Sequence, residues 1–208
     1  MAQLKSRTLF MFDLDGTVTS EEILPLIAKE AELYDEISAL TEATIKGIIP
    51  FDNSFKLRCR LLRDVPLSRV HKVVNNVKVY EQVAKFIQAH QDNCVIITGN
   101  LDVWVTPLRT RFYNIYTSEA MQQDGKLHKV TKVMQKDEMV QYLKTKYYGK
   151  IDRYVAIGDG MGDVAMFAEA DMTIAFGGTH KPVESLVKMS NYVLTDEHQL
   201  VNLLEQML

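Results

Sequence analysis

The segment LFMFDLDGTVTS, near the start of the chain, places two aspartates directly behind an apolar run and directly before a glycine. Asp13 and Asp15 are separated by one residue, so their side chains would point to opposite faces if the strand continued. Gly16 lets the chain turn and brings both carboxylates to one pocket. Two more acids, Asp159 and Asp163, occur in the glycine-rich segment GDGMGD. The sequence therefore offers four carboxylates to one site.

Such a cluster of carboxylates predicts a metal site that binds and transfers a phosphoryl group. Like charges a few ångströms apart repel, so the pocket needs a hard cation, and oxygen ligands favour Mg²⁺, which pairs with phosphate. Thr98 and Gly99 follow the apolar run CVII and offer a hydroxyl and backbone amides to a phosphate. Asp13 is the candidate nucleophile, because an aspartate beside the metal can form an aspartyl phosphate that water releases. Asp15 is the candidate acid and base, which protonates the leaving oxygen and then takes a proton from water.

The elements that must position these residues alternate between two patterns. Short apolar runs bounded by turn residues predict strands buried on both faces, at residues 8–13, 95–99, 154–159, 172–177 and 192–195. Helical spacing of apolar residues predicts helices at residues 79–90, 103–112, 135–147, 163–169 and 197–207. The alternation predicts an α/β fold with a doubly wound parallel sheet, in which ligands gather at the carboxyl ends of strands. Asp13, Thr98 and Asp159 all lie at such ends.

One long segment after the first predicted strand lacks any strand pattern. EEILPLIAKEAELYDEISALTEATIKG and NSFKLRCRLLRD predict successive helices, with Pro66 separating two of them. We expect residues 18–76 to form a small helical cap inserted into a core of residues 1–17 and 77–208. A cap that enters at this point would stand over the paired aspartates as a lid. Residues 116–130 contain an Asp-Gly turn and predict a hairpin or an extended excursion.

The motifs and their order resemble those of the haloacid dehalogenase superfamily. DLDGT, ITG, a lysine and GDGMGD follow one another as in that family, over nearly the whole chain. The resemblance implies a Rossmann-like core, Mg²⁺ and an aspartyl-phosphate intermediate, with Asp13 as nucleophile and metal ligand and Asp15 as acid and base. Asp159 and Asp163 would complete the metal site, together with the main-chain carbonyl of Asp15.

The same resemblance implies which residues hold the phosphate. Thr98 and a lysine would contact it, beside the amide of Gly99. Lys136 opens the helical segment KDEMVQYL, at the place where the family's lysine precedes the last acidic motif. Lys132 lies upstream in the extended segment, so we assign the role to Lys136.

The predicted cap narrows the resemblance to phosphoserine phosphatases. SEEILPLIAKEA and FDNSFKLRCRLLRDVPLSRV are similar to the cap of that subfamily. Carried over, Glu22 would meet the amino group of the substrate and Arg58 its carboxylate, which a guanidinium grips with two hydrogen bonds. Phe51 would line the apolar side of the pocket. Asn100 and Gly162 stand where the subfamily has a glycine and an asparagine, so the substrate can differ from phosphoserine, with Asn100 adding an amide near the phosphate-binding turn.

Composition excludes several other classes. A chain of 208 residues that is 47% apolar can bury its own core. The net charge of −3 gives no field for nucleic acid, and no apolar run approaches the roughly 20 residues of a membrane span. The apolar run behind the first residues is too short for a secretory signal, so we expect a cytoplasmic protein. Cys59 and Cys94 have no CxxC spacing and are expected to be reduced core residues.

The function that these patterns favour is hydrolysis of a small phosphorylated metabolite with Mg²⁺, such as phosphoserine or a related amino-acid phosphate. A phosphotransferase or phosphomutase of the same fold is an alternative, which would pass the phosphoryl group to a second substrate. A signalling receiver that is phosphorylated on aspartate is another, although a lasting phosphoaspartate needs neither Asp15 nor a lid. A dehalogenase has no need for the cluster of acids. The oligomeric state stays open.

Overall fold

The computed structural model describes residues 7–45 and 48–208, and parts of the predicted core and cap, residues 1–6 and 46–47, lie outside the described residues. The strands, in chain order, are β1 (Thr8–Phe12), β2 (Cys94–Leu101), β3 (Ile115–Gln123), β4 (Lys126–Lys132), β5 (Arg153–Gly158), β6 (Met172–Phe176) and β7 (Tyr192–Leu194). Within the described ranges they form one sheet in the order β4-β3-β2-β1-β5-β6-β7. Neighbours are parallel except β3 and β4. The predicted doubly wound α/β fold is confirmed.

Helices cover both faces of the sheet. In chain order they are α1 (Ile23–Glu30), α2 (Tyr34–Ile45), α3 (Phe51–Leu62), α4 (Leu67–Asn75), α5 (Glu81–Ala89), α6 (Asp102–Val105), α7 (Lys136–Lys146), α8 (Val164–Glu169), α9 (Glu184–Met189) and α10 (Glu197–Glu205). Among the helices that the structure describes, none is long and apolar enough to cross a membrane.

Both faces of β1 are buried, which explains its unbroken apolar run. Phe10 and Phe12 pack with Phe86 of α5 on one face. Leu9 and Met11 join a second cluster on the other face, with side chains from α7, α8 and α9. Successive side chains of a strand alternate between faces, so an apolar residue is needed at every position of a strand covered on both sides.

The strand order reverses direction beside β1. The chain builds the sheet outward from β1 through β2 on one side and through β5 on the other. In open α/β sheets the crevice at such a switch point, outside the carboxyl ends of the strands, is where ligands bind. The amide of Asp13 donates to the carbonyl of Ile157 at 2.9 Å, which keeps β1 and β5 paired to the point where both end. The topology thus brings the residues after β1 next to those after β5.

The helices α1 to α4 form the segment between β1 and α5. Their buried residues, such as Ile27, Phe55 and Val70, belong to the same apolar cluster as Phe12 of the sheet. Two antiparallel backbone links join the ends of the segment, one of them from the amide of Tyr80 to the carbonyl of Val18 at 3.0 Å. The amide of Leu67 also donates to the carbonyl of Gly125 at 2.8 Å. The helical segment is therefore fixed both at its entry and at the tip of the β3–β4 hairpin.

Two local predictions need correction. The predicted helix over residues 103–112 is wrong, because α6 ends at Val105 and a 3₁₀ segment, Thr106–Thr110, follows; Pro107 has no amide hydrogen to continue an α-helix. The hairpin predicted at residues 116–130 is confirmed, but β3 also pairs in parallel with β2. Its sequence IYTSEAMQQ lacks an apolar run because most of the strand is only partly buried.

The turn of this hairpin generates a stability prediction. Gly125 has φ +70° and a Cβ there would meet nothing within 4 Å, so Gly125→Ala changes backbone strain and no packing. We expect the free energy of unfolding to fall by about 1 kcal/mol, since a left-handed conformation costs a non-glycine residue roughly that much. Urea titration measures it, with Gly160→Ala, equally open but at φ −121°, as the control. Equal changes in both variants would contradict the assignment.

Candidate active site

Three carboxylates meet at the switch point. Asp13 directly follows β1, Asp159 directly follows β5, and Asp163 ends the 3₁₀ turn Met161–Asp163 that precedes α8. One carboxylate oxygen from each lies within 4.8 Å of the others. Their side chains are 12%, 7% and 2% exposed, respectively. The structure thus brings together three of the four acids that the sequence predicts to meet, in a nearly buried cluster.

Glycines make room for this close approach. Gly16 has φ +75°, and a Cβ there would lie 2.1 Å from Oδ2 of Asp159. A Cβ at Gly158 would lie 2.5 Å from Cγ of Asp163. The second oxygen of Asp163 accepts hydrogen bonds from the amides of Asp159 and Gly160, both at 3.0 Å. Gly16 of DLDGT and Gly158, the first glycine of GDGMGD, therefore let the carboxylates pack against backbone.

Lys136 lies against this cluster. It is the first residue of α7, and its Nζ contacts Oδ1 of Asp13 and lies 2.6 Å from Oδ1 of Asp163. Both burial and the positive end of a helix disfavour a cation at this place. Burial lowers the pKa of Lys136, but attraction to Asp13 and Asp163 outweighs it, so the pKa lies above its usual range. The position is explained by the carboxylates, and Lys136 rather than Lys132 is the lysine at the site.

One lysine does not balance three buried acids. Burial, followed by repulsion from Asp163, raises the pKa of Asp13 to about 8. Burial, followed by repulsion from Asp13, raises the pKa of Asp159 to about 9. A further cation between the carboxylates would relieve this repulsion, and a donor set made only of oxygen suits a hard divalent ion. The cluster therefore has the charge deficit and the ligand chemistry of a metal site.

The hydrogen bonds distinguish Asp13 from its neighbours. Its Oδ1 contacts Lys136, whereas its Oδ2 accepts no hydrogen bond from the residues that the structure describes. Both oxygens of Asp15 are engaged: Oδ1 accepts from the amide of Ile23 at 2.8 Å and Oδ2 from Nδ2 of Asn100 at 2.5 Å. Asp13 therefore presents an oxygen that can form a new bond, whereas Asp15 is held in place.

The carboxylate of Asp15 lies outside the cluster formed by the carboxylates of Asp13, Asp159 and Asp163. Its carboxylate reaches Ile23, the first residue of α1, and Asn100 near the end of β2. Burial is the main cause that raises its pKa to about 6. A carboxyl with a pKa near neutrality can both give and accept a proton under physiological conditions. The role of its main-chain carbonyl as a metal ligand stays a prediction.

The predicted phosphate-binding turn lies at the end of β2. Oγ1 of Thr98, which is 1% exposed, accepts hydrogen bonds from the amide and from Nδ2 of Asn100, both at 3.1 Å. The carbonyl of Gly99 accepts from Oγ of Ser118 at 2.8 Å. Asn100 is buried and its amide group is directed to Thr98 and Asp15. The predicted contact of Asn100 with the phosphate-binding turn is thus made through Thr98.

The predicted substrate residues of the cap lie on α1 and α3. Glu22 directly precedes α1, and its negative charge contributes to the raised pKa of Asp15. Burial lowers the pKa of Arg58, and the charge of Glu22 opposes this effect in part. The Arg58 side chain is buried among cap residues, with Nη1 3.3 Å from Oγ1 of Thr41. Phe51 is 45% exposed, and its Cζ is 3.8 Å from the place of a Cβ on Gly99. Glu22, directly before α1, and Phe51, the first residue of α3, therefore border the site.

Sequence reasoning missed two residues at the site. Nε2 of His180 lies 3.2 Å from Oδ2 of Asp159, in the loop between β6 and α9. Ser118 links the carbonyl of Gly99 to the amide of Met134, which donates to its Oγ at 2.9 Å. His180 follows a glycine pair after a buried strand, and this place at a carboxyl end is the signal that could have indicated it. Ser118 lies within a weakly patterned strand that carries no such signal.

Comparison with known proteins gives consistent matches. The family model of haloacid dehalogenase-like hydrolases matches residues 10–168. The phosphoserine phosphatase of Methanocaldococcus jannaschii is 27% identical over 83% of this chain and 86% of its own length, and that of Lactococcus lactis is 27% identical over 97% and 96%. Several longer phosphoserine phosphatases match over about half of their length.

A solved structure agrees with this architecture. It is a phospho-aspartyl intermediate analogue of phosphoserine phosphatase, which superposes with a TM-score of 0.78 at 24% identity, over 96% of this chain and 99% of that one. This likeness shows that the two chains share a fold.

The raised pKa values predict how stability depends on pH without metal. Between about pH 4, where aspartate ionises in the unfolded chain, and pH 8, the folded state keeps protons on Asp13 and Asp159 that the unfolded state has released. The free energy of unfolding should therefore fall as pH rises from 5 to 8, by up to about 1.4 kcal/mol per pH unit for each protonated carboxyl.

Urea titration in chelator-treated buffer measures this slope. The variant Asp159→Asn removes one of the two groups and should flatten the profile. Added Mg²⁺ should stabilise the protein more at pH 8 than at pH 5, because metal binding requires deprotonated ligands. A metal-free profile that is flat, or that rises over this interval, would contradict the charge deficit.

Proposed function

The chain belongs to the haloacid dehalogenase-like hydrolase family, and we propose that it hydrolyses a small phosphomonoester with Mg²⁺ through a phosphoryl group carried on Asp13. The family and the phosphoserine phosphatases among its relatives make the chain a phosphoric monoester hydrolase. The observation that carries the mechanism is the unequal hydrogen bonding of the carboxylates. Oδ1 of Asp13 contacts Lys136, and its Oδ2 accepts no hydrogen bond from the described residues.

In the first step, an oxygen of Asp13 attacks phosphorus as the bond from phosphorus to the substrate oxygen breaks. Asp15 gives its proton to the substrate oxygen, so the product leaves as an alcohol. In the second step, Asp15 takes a proton from water and the water oxygen attacks phosphorus. The bond between phosphorus and Asp13 breaks, which releases phosphate and restores both carboxyl groups to their starting states.

The remaining residues hold charge and substrate in place. Asp13, Asp159 and Asp163, with the main-chain carbonyl of Asp15, would hold the metal. Bound there, Mg²⁺ would neutralise the acids and the phosphate and so permit a carboxylate to approach a phosphate dianion. Lys136 supplies a fixed positive charge at Oδ1 of Asp13. The hydroxyl of Thr98 and the amide of Gly99 would donate to the phosphate oxygens.

The segment of residues 18–76 would act as a cap that closes over this site. Support comes from its position, because it begins where β1 ends and its first helix donates a backbone hydrogen bond to Asp15. Glu22 would meet a substrate ammonium, Arg58 a carboxylate, and Phe51 the apolar part of the pocket. These roles correspond to phosphoserine or a related amino-acid phosphate. Gly162 is exposed and brings no side-chain amide to the loop beside the acids, so the substrate can differ from phosphoserine.

We place the reaction in the cytoplasm. Cys59 and Cys94 are both buried free thiols, and burial raises the pKa of Cys59 to about 12. Thiols in this state are typical of a reducing compartment. The partner of the protein in this proposal is the small phosphorylated substrate.

Replacing the nucleophile provides the direct test. Asp13→Asn should lower kcat by at least about 10³-fold, because amide nitrogen and oxygen cannot form the phosphoenzyme. Acid-quenched wild type incubated with substrate and Mg²⁺ should carry a phosphoryl group on the peptide with Asp13, detected by mass spectrometry. The exposed Asp92→Asn is the control and should keep full activity. Unchanged turnover in Asp13→Asn would refute the mechanism, and phosphate found on an added alcohol instead of free in solution would favour the transferase.

A screen of phosphorylated metabolites tests the substrate class. Phosphoserine and other amino-acid phosphates should be turned over faster than sugar and nucleotide monophosphates. Arg58→Ala should lower kcat/KM for phosphoserine by about 10²-fold, the typical cost of losing a charged hydrogen-bond partner, but change a phosphoester without a carboxylate by less than 3-fold. The exposed Arg60→Ala on the same helix is the control. An equal loss on both substrates would contradict the assignment of Arg58.

A further inference from the structure

Asn100 connects two parts of the proposed machinery. It lies next to the last residue of β2 and is 4% exposed. Its Nδ2 donates to Oδ2 of Asp15 at 2.5 Å and to Oγ1 of Thr98 at 3.1 Å. Its backbone amide donates to the same Oγ1 at 3.1 Å. One buried side chain thus contacts both the candidate acid and the hydroxyl of the candidate phosphate-binding turn.

The first consequence concerns the orientation of Asp15. Its Oδ2 accepts from Asn100 of the core sheet, and its Oδ1 accepts from the amide of Ile23 at the start of α1. A carboxylate held at both oxygens cannot rotate without breaking one of these bonds. The position of its transferable proton relative to a bound substrate is thereby fixed, and proton transfer depends steeply on such geometry.

The second consequence concerns Thr98. A hydroxyl has two acceptor lone pairs and one proton to donate. The two hydrogen bonds from Asn100 use both acceptor positions of Oγ1. The hydroxyl proton of Thr98 then remains available for a hydrogen bond to another acceptor. A phosphate oxygen is an acceptor, so Asn100 leaves Thr98 in the state that suits phosphate.

We propose that Asn100 is a positioning residue, which orients the carboxyl of Asp15 toward the leaving oxygen and presets Thr98 as a hydrogen-bond donor. The inference rests on the proposed function and assigns Asn100 a role that it performs without touching the substrate. The competing interpretation is that Asn100 only stabilises the end of β2. The two differ in how the loss of activity depends on the leaving group.

Two aryl phosphates of similar shape separate the interpretations. Phenyl phosphate needs protonation of its leaving oxygen, whereas p-nitrophenyl phosphate leaves readily without it. Asn100→Ala should lower kcat/KM for phenyl phosphate by at least 10-fold more than for p-nitrophenyl phosphate, because kcat/KM reports the steps up to the phosphoenzyme. A purely structural role would lower both equally, and that result would overturn the proposal.

A double-variant comparison checks that the effect passes through Asp15. Asn100→Ala introduced into Asp15→Asn should change the ratio of kcat/KM for phenyl phosphate to that for p-nitrophenyl phosphate by less than 3-fold, because the dependence on the leaving group passes through Asp15, whereas a loss through Thr98 lowers both substrates alike. A further 10-fold change in this ratio would contradict the proposal. If Asn100→Ala does not fold, Asn100→Leu keeps the approximate shape of the side chain while removing its donor without adding a charge, and should show the same dependence on the leaving group.

The controls keep this inference apart from the proposed function. Wild type that with Mg²⁺ hydrolyses neither the aryl phosphates nor any phosphorylated metabolite of the screen, or an active Asp13→Asn, would refute the function itself. Wild type that is active while Asn100→Ala loses both substrates equally would refute the role of Asn100 and leave the function standing. Circular dichroism and thermal unfolding of each variant show that the compared proteins are folded.

Discussion

Repulsion among buried carboxylates is the constraint on which the rest of this structure depends. Two unit charges 4 Å apart repel by about 4 kcal/mol at the effective dielectric of a protein site. One carboxylate oxygen each of Asp13, Asp159 and Asp163 lies within 4.8 Å of the others, and the three side chains are nearly buried. Both the positive end of α7 and burial disfavour the charge of Lys136, and its contacts with Asp13 and Asp163 compensate for this. The repulsion lowers the stability of the folded chain, and a bound divalent ion would relieve it.

The fold supplies this arrangement from segments far apart in sequence. Because β1 and β5 are parallel neighbours, their carboxyl ends lie at one edge of the sheet, and the residues that follow them meet there. Gly16 and Gly158 remove the side chains that would keep the acids apart. The helical segment begins directly after this loop, so Asp15 receives a hydrogen bond from α1 as well as from the core. The helical segment and the core sheet therefore both fix the orientation of Asp15.

Sequence patterns predicted the parts that are set locally. Unbroken apolar runs identified β1, β2, β5 and β6, because burial on both faces requires an apolar residue at nearly every position. The short apolar run of β7 was identified too, although two of its three residues are exposed. Apolar runs did not identify β3 as a sheet strand, since its partly exposed face gives no such run. The acids and Lys136 were predicted from their places at strand and helix ends. The partners of Asn100 were not, because Asp15 is 85 residues away and its orientation depends on side-chain packing.

The same packing explains how chemically identical groups take different roles. Oδ2 of Asp163 accepts from two backbone amides and its Oδ1 accepts from Lys136, so this carboxylate is held in place beside Asp13 and Asp159. Asp15 is held at both oxygens and stands apart from the cluster, where burial brings its pKa to about 6 and makes proton exchange feasible. Oδ2 of Asp13 accepts no hydrogen bond from the described part of the chain. In the proposed mechanism, the surroundings of each aspartate, and not its residue type, therefore decide whether it holds the metal, exchanges a proton or attacks phosphorus.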